Sequence, residues 1–235
     1  SDLVYFARPD SRIDEISVYH ARVRMGAALA DRWRETGLSA DVIVPVPESA
    51  RVAATEMAMR LGVKFREGLI KNRYIGRTFI MPGNAARRQA IRRKLNVVEE
   101  VFRDRDVLLV DDSIVRGNTV KGLIALAREA GARRVYFASY SAPLVSPCIY
   151  GIDMSTKDAF IARDRTVEEI AEAVGADALI YQSLPEMQDA AQPPSGAPLH
   201  FCTACFGGDY PTGAEQLNEV LTDFAADRHA GAAPA

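Results

Sequence analysis

The stretch Val107-Leu108-Leu109-Val110-Asp111-Asp112-Ser113-Ile114-Val115-Arg116-Gly117-Asn118-Thr119 constrains the fold more than any other part of the chain. Four consecutive apolar residues fit a strand buried on both faces of a parallel sheet. Two carboxylates end the run, and the chain then breaks into a turn rich in Gly, Ser and Thr. Adjacent carboxylates at the carboxyl end of a strand can hold vicinal sugar hydroxyls and a hard divalent cation. Backbone N–H groups and hydroxyls from Ser113 to Thr119 can face a phosphate at a helix N-terminus, and Gly117 lets the backbone come close. An ordinary turn whose Asp and Ser cap the next helix accounts for one carboxylate, but not for the pair or for two hydroxyl residues around a glycine.

The flanking chain alternates in period. Ile16, Tyr19, Val23, Met25, Ala28, Leu29 and Trp33 recur mostly at three- and four-residue steps, which predicts an amphipathic helix closing near Gly37. Asp41 to Val46 reads as a strand, and Pro47-Glu48-Ser49-Ala50-Arg51 as a sharp turn into a helix that ends before Gly62. That turn can aim N–H groups at an anion with Ser49 adding a hydroxyl, or Ser49 can be a plain helix cap. Gly117 to Gly131 reads as a helix with Val120, Leu123, Ile124 and Leu126 inward, and Arg134 to Tyr140 as the next strand. Thr166-Val167-Glu168-Glu169 is a capping box, Ala178 to Tyr181 a further strand, and Ala190 to Pro198 a Pro, Gly and Ala rich linker. Leu217, Val220, Leu221 and Phe224 share one face of a terminal helix, followed by a ragged end. Strands alternating with helices predict an α/β fold with a doubly wound, mostly parallel sheet whose ligand crevice lies at the strands' carboxyl ends. The expected division is a main domain over 1–189, the linker over 190–198, and a cysteine-bearing helical appendage over 199–235.

The 235 residues, 48% of them hydrophobic, suffice for one such core. A net charge of −2 argues against a general nucleic-acid binder. No apolar run approaches the roughly 20 residues that span a bilayer, so no membrane partner and a cytoplasmic location are expected. Local charge is uneven: Arg66, Lys71, Arg73, Arg77, Arg87, Arg88, Arg92, Arg93 and Lys94 face one acid, Glu67. Within it, Lys71 to Phe79 mixes cations, aromatics and a glycine, which suits a lid that folds over phosphates and expels water. Arg87 to Lys94 fits a solvated basic face equally well. Cys148, Cys202 and Cys205 are the only cysteines; a Cys-x-x-Cys can be a zinc pair, a redox pair, half of an iron–sulfur site, or two ordinary thiols.

The run from Val107 to Thr119 resembles the phosphoribosyl pyrophosphate signature of the type I phosphoribosyltransferases. Its longer form, Val110 to Thr119, together with Lys71-Asn72-Arg73-Tyr74-Ile75-Gly76-Arg77-Thr78-Phe79-Ile80, is similar to the amidophosphoribosyltransferase family in particular, and the likeness runs from Tyr5-Phe6-Ala7-Arg8-Pro9-Asp10-Ser11 through Cys205. The resemblance implies transfer of phosphoribosyl from phosphoribosyl pyrophosphate to ammonia, the first step of de novo purine synthesis. It implies that Glu48 and Ser49 belong to the pyrophosphate loop, with Ser49, Asp111 and Asp112 near magnesium. Asp111, Asp112, Lys71 and Arg77 are then catalytic, and Ser113, Val115, Arg116, Gly117, Asn118 and Thr119 bind the 5-phosphate. It also implies a structural four-iron cluster on Cys148, Cys202 and Cys205, although the family's further, upstream cysteine has no counterpart here. Purine nucleotides as feedback inhibitors and a homo-oligomer are expected partners. The family draws ammonia from glutamine through an N-terminal glutaminase domain, which is expected to be missing from a chain that begins Ser-Asp. The competing expectations are another phosphoribosyltransferase acting on a nucleobase, and a non-catalytic regulator that senses phosphoribosyl pyrophosphate.

Overall fold

The computed structural model describes residues 2–72, 91, 94–150 and 160–213. The predicted terminal helix around Leu217 to Phe224 and most of the basic stretch from Arg73 to Arg93, Arg77 included, lie outside the described residues.

A π-helical turn, Asp2–Phe6, leads into the short antiparallel pair β1 (Arg12–Ile13) and β2 (Ile16–Ser17). Helix α1 (Val18–Glu35) starts where the Ser17 hydroxyl accepts from the His20 N–H at 3.3 Å. Its buried stripe is Val18, Ala21, Arg22, Met25, Gly26, Leu29, Ala30 and Trp33. Tyr19 was expected inward and instead stands 49% exposed, because it lies one helical step off that stripe. Then follow β3 (Val42–Pro45), α2 (Arg51–Leu61), β4 (Lys64–Phe65), β5 (Leu69–Lys71), β6 (Leu95–Val97), α3 (Glu99–Phe102) and β7 (Asp106–Asp111). The chain continues through α4 (Asn118–Glu129), β8 (Arg134–Ser139), α5 (Val167–Val174), β9 (Ala178–Tyr181), α6 (Leu184–Ala191) and α7 (Ala204–Gly207).

The five-stranded sheet has the order β4-β3-β7-β8-β9 and every pairing in it is parallel. The signature strand β7 is its centre, and the period of two divides its side chains between two cores. Val107 and Leu109 join Val120, Leu123, Ile124, Ile170 and Val174 of α4 and α5 on one face. Leu108 and Val110 join Met25, Leu29, Trp33, Ala54, Met57 and Met187 of α1, α2 and α6 on the other. Each large apolar side chain so buried contributes roughly 1.5–3 kcal/mol by leaving water. The helices on both faces make the sheet doubly wound, as expected. Gly26 permits the close crossing of α1 and α2, since a Cβ there would stand 2.5 Å from the Ala53 carbonyl oxygen.

The region assigned to a linker is partly helical: α6 carries Ala190 and Ala191. Arg24 holds the carbonyls of Ala190 and Gln192 at 2.7 and 2.9 Å, and the Gln192 amide group both donates to and accepts from Leu199. Phe201 and Phe206 pack on the α1 side of the core, and the Cys205 carbonyl accepts from Val145 and Ser146 at 2.9 and 3.1 Å. The described part of the appendage therefore rests on the main body.

Candidate active site

The central strand delivers both carboxylates to the crevice and its neighbours fix their backbone. The Asp111 carbonyl accepts from Tyr140 N–H at 3.1 Å and the Asp112 carbonyl from Ser141 N–H at 3.0 Å. Both side chains are buried, 8% and 7% exposed, which is unusual for carboxylates without a cationic partner. No ion pair reaches either one among the described residues. Asp112 instead accepts the Ser49 hydroxyl at 2.5 Å on one oxygen and the Ser113 hydroxyl at 2.6 Å on the other. Asp111 accepts the Asp112 N–H at 2.8 Å. Burial first, and then the charge of Asp112, pushes the Asp111 carboxyl well above the ordinary range. Burial likewise raises Asp112, opposed by the hydrogen bonds from Ser113 and Ser49 and by the nearby charge of Arg22.

The loop after β7 is built for an anion. Helix α4 begins at Gly117, whose φ of 75° is left-handed, and no side chain caps it. The alternative in which Asp and Ser merely cap this helix is thereby excluded, and the first-turn N–H groups are left to a ligand or water. Ile161 N–H donates to the Val115 carbonyl at 2.9 Å and pins the loop from outside. Helix α2 is likewise uncapped by a side chain: its N-cap is Ala50, so the reading of Ser49 as a helix cap is corrected. Its hydroxyl turns to Asp112, 63 positions away. The peptide between Pro47 and Glu48 is cis.

These parts line one cavity of about 1080 Å³, slightly above the usual volume of a small-molecule site. Glu48, Ser49, Lys71, Asp111, Asp112, Ser113, Val115, Arg116, Gly117, Asn118 and Thr119 all face it. Lys71 ends β5, which pairs with β6 as a separate antiparallel ribbon that the sequence did not announce. The cavity also takes Arg8, Arg51 and Arg22 into its wall, so that cations stand around two central carboxylates. Such a lining suits a polyanion carried with a metal ion.

Sequence reasoning missed Arg22 and Tyr140. Arg22 is 1% exposed and donates to the carbonyls of Leu3 at 3.1 Å and Ala7 at 2.8 Å, which fixes the N-terminal turn as one wall. An arginine on the apolar stripe of α1 was the available signal. The three cysteines are free thiols, half-buried at Cys148 and Cys205 and exposed at Cys202. Burial, reinforced by Cys148 and Cys202 nearby, pushes the Cys205 thiol up to about 11. Among the described residues no three His, Cys, Asp or Glu side chains group closely enough to hold a metal ion.

The family model of the phosphoribosyl transferase domain matches residues 13–143. The amidophosphoribosyltransferase of Pseudomonas aeruginosa is 54% identical over 219 residues, 92% of this chain and 43% of that protein. The Escherichia coli (strain K12) amidophosphoribosyltransferase is 49% identical over 227 residues, 95% of this chain and 44% of its own length. The chain thus spans less than half the length of these curated relatives. Among solved structures, the glutamine phosphoribosylpyrophosphate amidotransferase of B. subtilis, complexed with ADP and GMP, superposes with a TM-score of 0.78 at 43% identity, over 89% of this chain and 46% of that one.

Proposed function

The chain belongs to the phosphoribosyltransferase family, and from that premise we propose that it moves phosphoribosyl from phosphoribosyl pyrophosphate to ammonia, giving 5-phosphoribosylamine and pyrophosphate at the entry to purine synthesis. One arrangement carries the reading: two buried carboxylates, without an ion pair among the described residues, stand beside the uncapped N-terminus of α4, with Ser49 bonded to one of them and Lys71 in the same cavity wall.

The bond from the anomeric carbon to pyrophosphate breaks with its electron pair leaving on oxygen. The ammonia nitrogen forms the new bond and gives up a proton. The sugar ring is cationic in between, so the catalytic task is positioning and charge stabilisation. Asp111 and Asp112 have lone pairs left after their internal hydrogen bonds, and these accept the ribose hydroxyls while the negative charge favours the ring cation. Backbone N–H groups and hydroxyls from Ser113 to Thr119, with Val115, Arg116, Gly117 and Asn118, hold the 5-phosphate. The turn carrying Glu48 and Ser49 meets the pyrophosphate, and we assign Lys71 and Arg77 to neutralising its charge. Asp111, Asp112 and Ser49 would hold magnesium, a hard cation that favours carboxylate and hydroxyl oxygens. When bound it neutralises charge on the leaving group.

We extend the proposal to glutamine as the ammonia source, through a glutaminase unit of the whole protein, and to a homo-oligomer inhibited by purine nucleotides; the nucleotides bound to the B. subtilis neighbour support the last point. Cys148 and Cys202 lie near enough to Cys205 to raise its thiol, so the three would supply three of the four ligands of a structural four-iron cluster, with the fourth to come from elsewhere in the whole protein, although the described residues alone gather no metal-binding group. No step of the reaction passes through it.

An acceptor panel tests the reading. Pyrophosphate release should follow added ammonium chloride and need magnesium, with adenine, hypoxanthine, guanine and orotate inert. Release driven by a nucleobase would replace the acceptor, and binding without release from any acceptor would make the protein a sensor.

A further inference from the structure

Just past β8 the chain runs beneath the site, and its first residue there, Tyr140, is fully buried. Its N–H donates to the Asp111 carbonyl at 3.1 Å. Its hydroxyl lies 2.7 Å from the Val4 carbonyl oxygen and 3.1 Å from that of Ser49. A phenol has one hydrogen, so this is a shared donor between two acceptors. One residue thus touches the backbone of the strand end bearing the carboxylates, of the turn after β3, and of the N-terminal turn.

The contacts close a ring. Asp112 follows Asp111, the Ser49 hydroxyl donates to Asp112 at 2.5 Å, and the Ser49 carbonyl returns to Tyr140. The far end of the strut is held as well, because Arg22 grips the carbonyls on either side of Val4, at Leu3 and Ala7. Tyr140 does not line the cavity, so it acts on the site only through what it holds.

We propose that Tyr140 is a positioning residue for phosphoribosyl transfer, its hydroxyl fixing the 47–50 turn so that the Ser49 hydroxyl stays on Asp112. The inference rests on the functional reading above. Tyr140→Phe removes the hydroxyl and keeps the ring. In the full-length protein, at saturating magnesium and substrate, it should lower kcat for ammonia-dependent pyrophosphate release about tenfold, with KM for phosphoribosyl pyrophosphate moving less than about threefold. Neighbours that act as one unit are not additive. Made on top of Ser49→Ala, the same change should therefore cost less than about twofold. Equal losses in both backgrounds, or no loss in the first, overturn the proposal.

Amide hydrogen exchange gives a readout that needs no turnover. Tyr140→Phe should speed exchange over residues 46–51 and leave 178–181 unchanged; unchanged exchange over 46–51 overturns the coupling. If the unmodified protein releases no pyrophosphate with ammonia, the functional reading fails, and exchange still judges the strut.

Discussion

Gly117→Ala tests the phosphate cradle and the local backbone together. Gly117 has φ 75°, a conformation costing an L residue roughly 1–2 kcal/mol. An added Cβ would stand 2.4 Å from the Ile161 Cδ1 and 3.3 Å from a Val174 methyl. The Ile161 tip can rotate, but its backbone is tied to Val115, so an off-rotamer cost of about 0.5–1.5 kcal/mol is added. The total, about 1.5–3.5 kcal/mol, lowers Tm by roughly 3–14 °C at 2–4 °C per kcal/mol for a chain of this size. Gly122→Ala is the control. Its Cβ would come as close to an isoleucine tip, 2.2 Å from the Ile91 Cδ1, but Gly122 is mid-helix without positive φ. There a gain of about 1 kcal/mol in helix propensity offsets the rotamer cost. Calorimetry should show a Tm drop for Gly117→Ala alone, and kinetics should show KM for phosphoribosyl pyrophosphate raised about tenfold or more in that variant only, as expected where backbone N–H groups face the phosphate. Equal Tm losses, or an unchanged KM in Gly117→Ala, refute the reasoning.

Asp111→Asn and Asp112→Asn should each cut ammonia-dependent turnover about a hundredfold or more, measured by pyrophosphate release. Ligand-free Asp111→Asn should nonetheless melt higher than the unmodified protein at pH 8. Burial and the charge of Asp112 raise the folded pKa of Asp111, so the penalty is absent below the unfolded value of about 3.9 and grows as pH rises through the folded value. The advantage of Asn must shrink on acidification; one that grows contradicts the assignment. Lys71→Ala should lower kcat at saturating substrate with the melting curve unchanged, as the proposed role of this cavity-lining cation toward the leaving group requires. A full rate would return Lys71 to the solvated basic face. Cys148→Ser, Cys202→Ser and Cys205→Ser should each keep kcat within about twofold, because no step needs a thiol. A large loss in a variant that still folds would bring the cysteine into the site.

The parts of the fold that were legible are those with a period long enough to read. Val107 to Val110 as a doubly buried strand, the helix from Gly117, and the Thr166 capping box stand where local chemistry put them. The two- and three-residue strands β1, β2, β4, β5 and β6 carry no readable period, and β5 meets β6 only across the intervening basic stretch. Ser49 shows the same limit at the site: a hydroxyl before a helix reads equally as a cap or a ligand, and only a partner far along the chain decides. Tyr140 was silent because its acceptors are backbone carbonyls, which every sequence supplies, and Arg22 showed only as a cation on the apolar stripe of α1.

The central claim is that ammonia nitrogen replaces pyrophosphate on the anomeric carbon in the cavity of Asp111 and Asp112. Incubation with phosphoribosyl pyrophosphate, magnesium and nitrogen-15 ammonium, with mass analysis of the trapped product, measures this directly. The account predicts phosphoribosylamine carrying the label in step with pyrophosphate, and its loss in the Asp111→Asn and Asp112→Asn double variant. Unlabelled ribose 5-phosphate as the sole sugar product, or labelled product undiminished in the double variant, would contradict it.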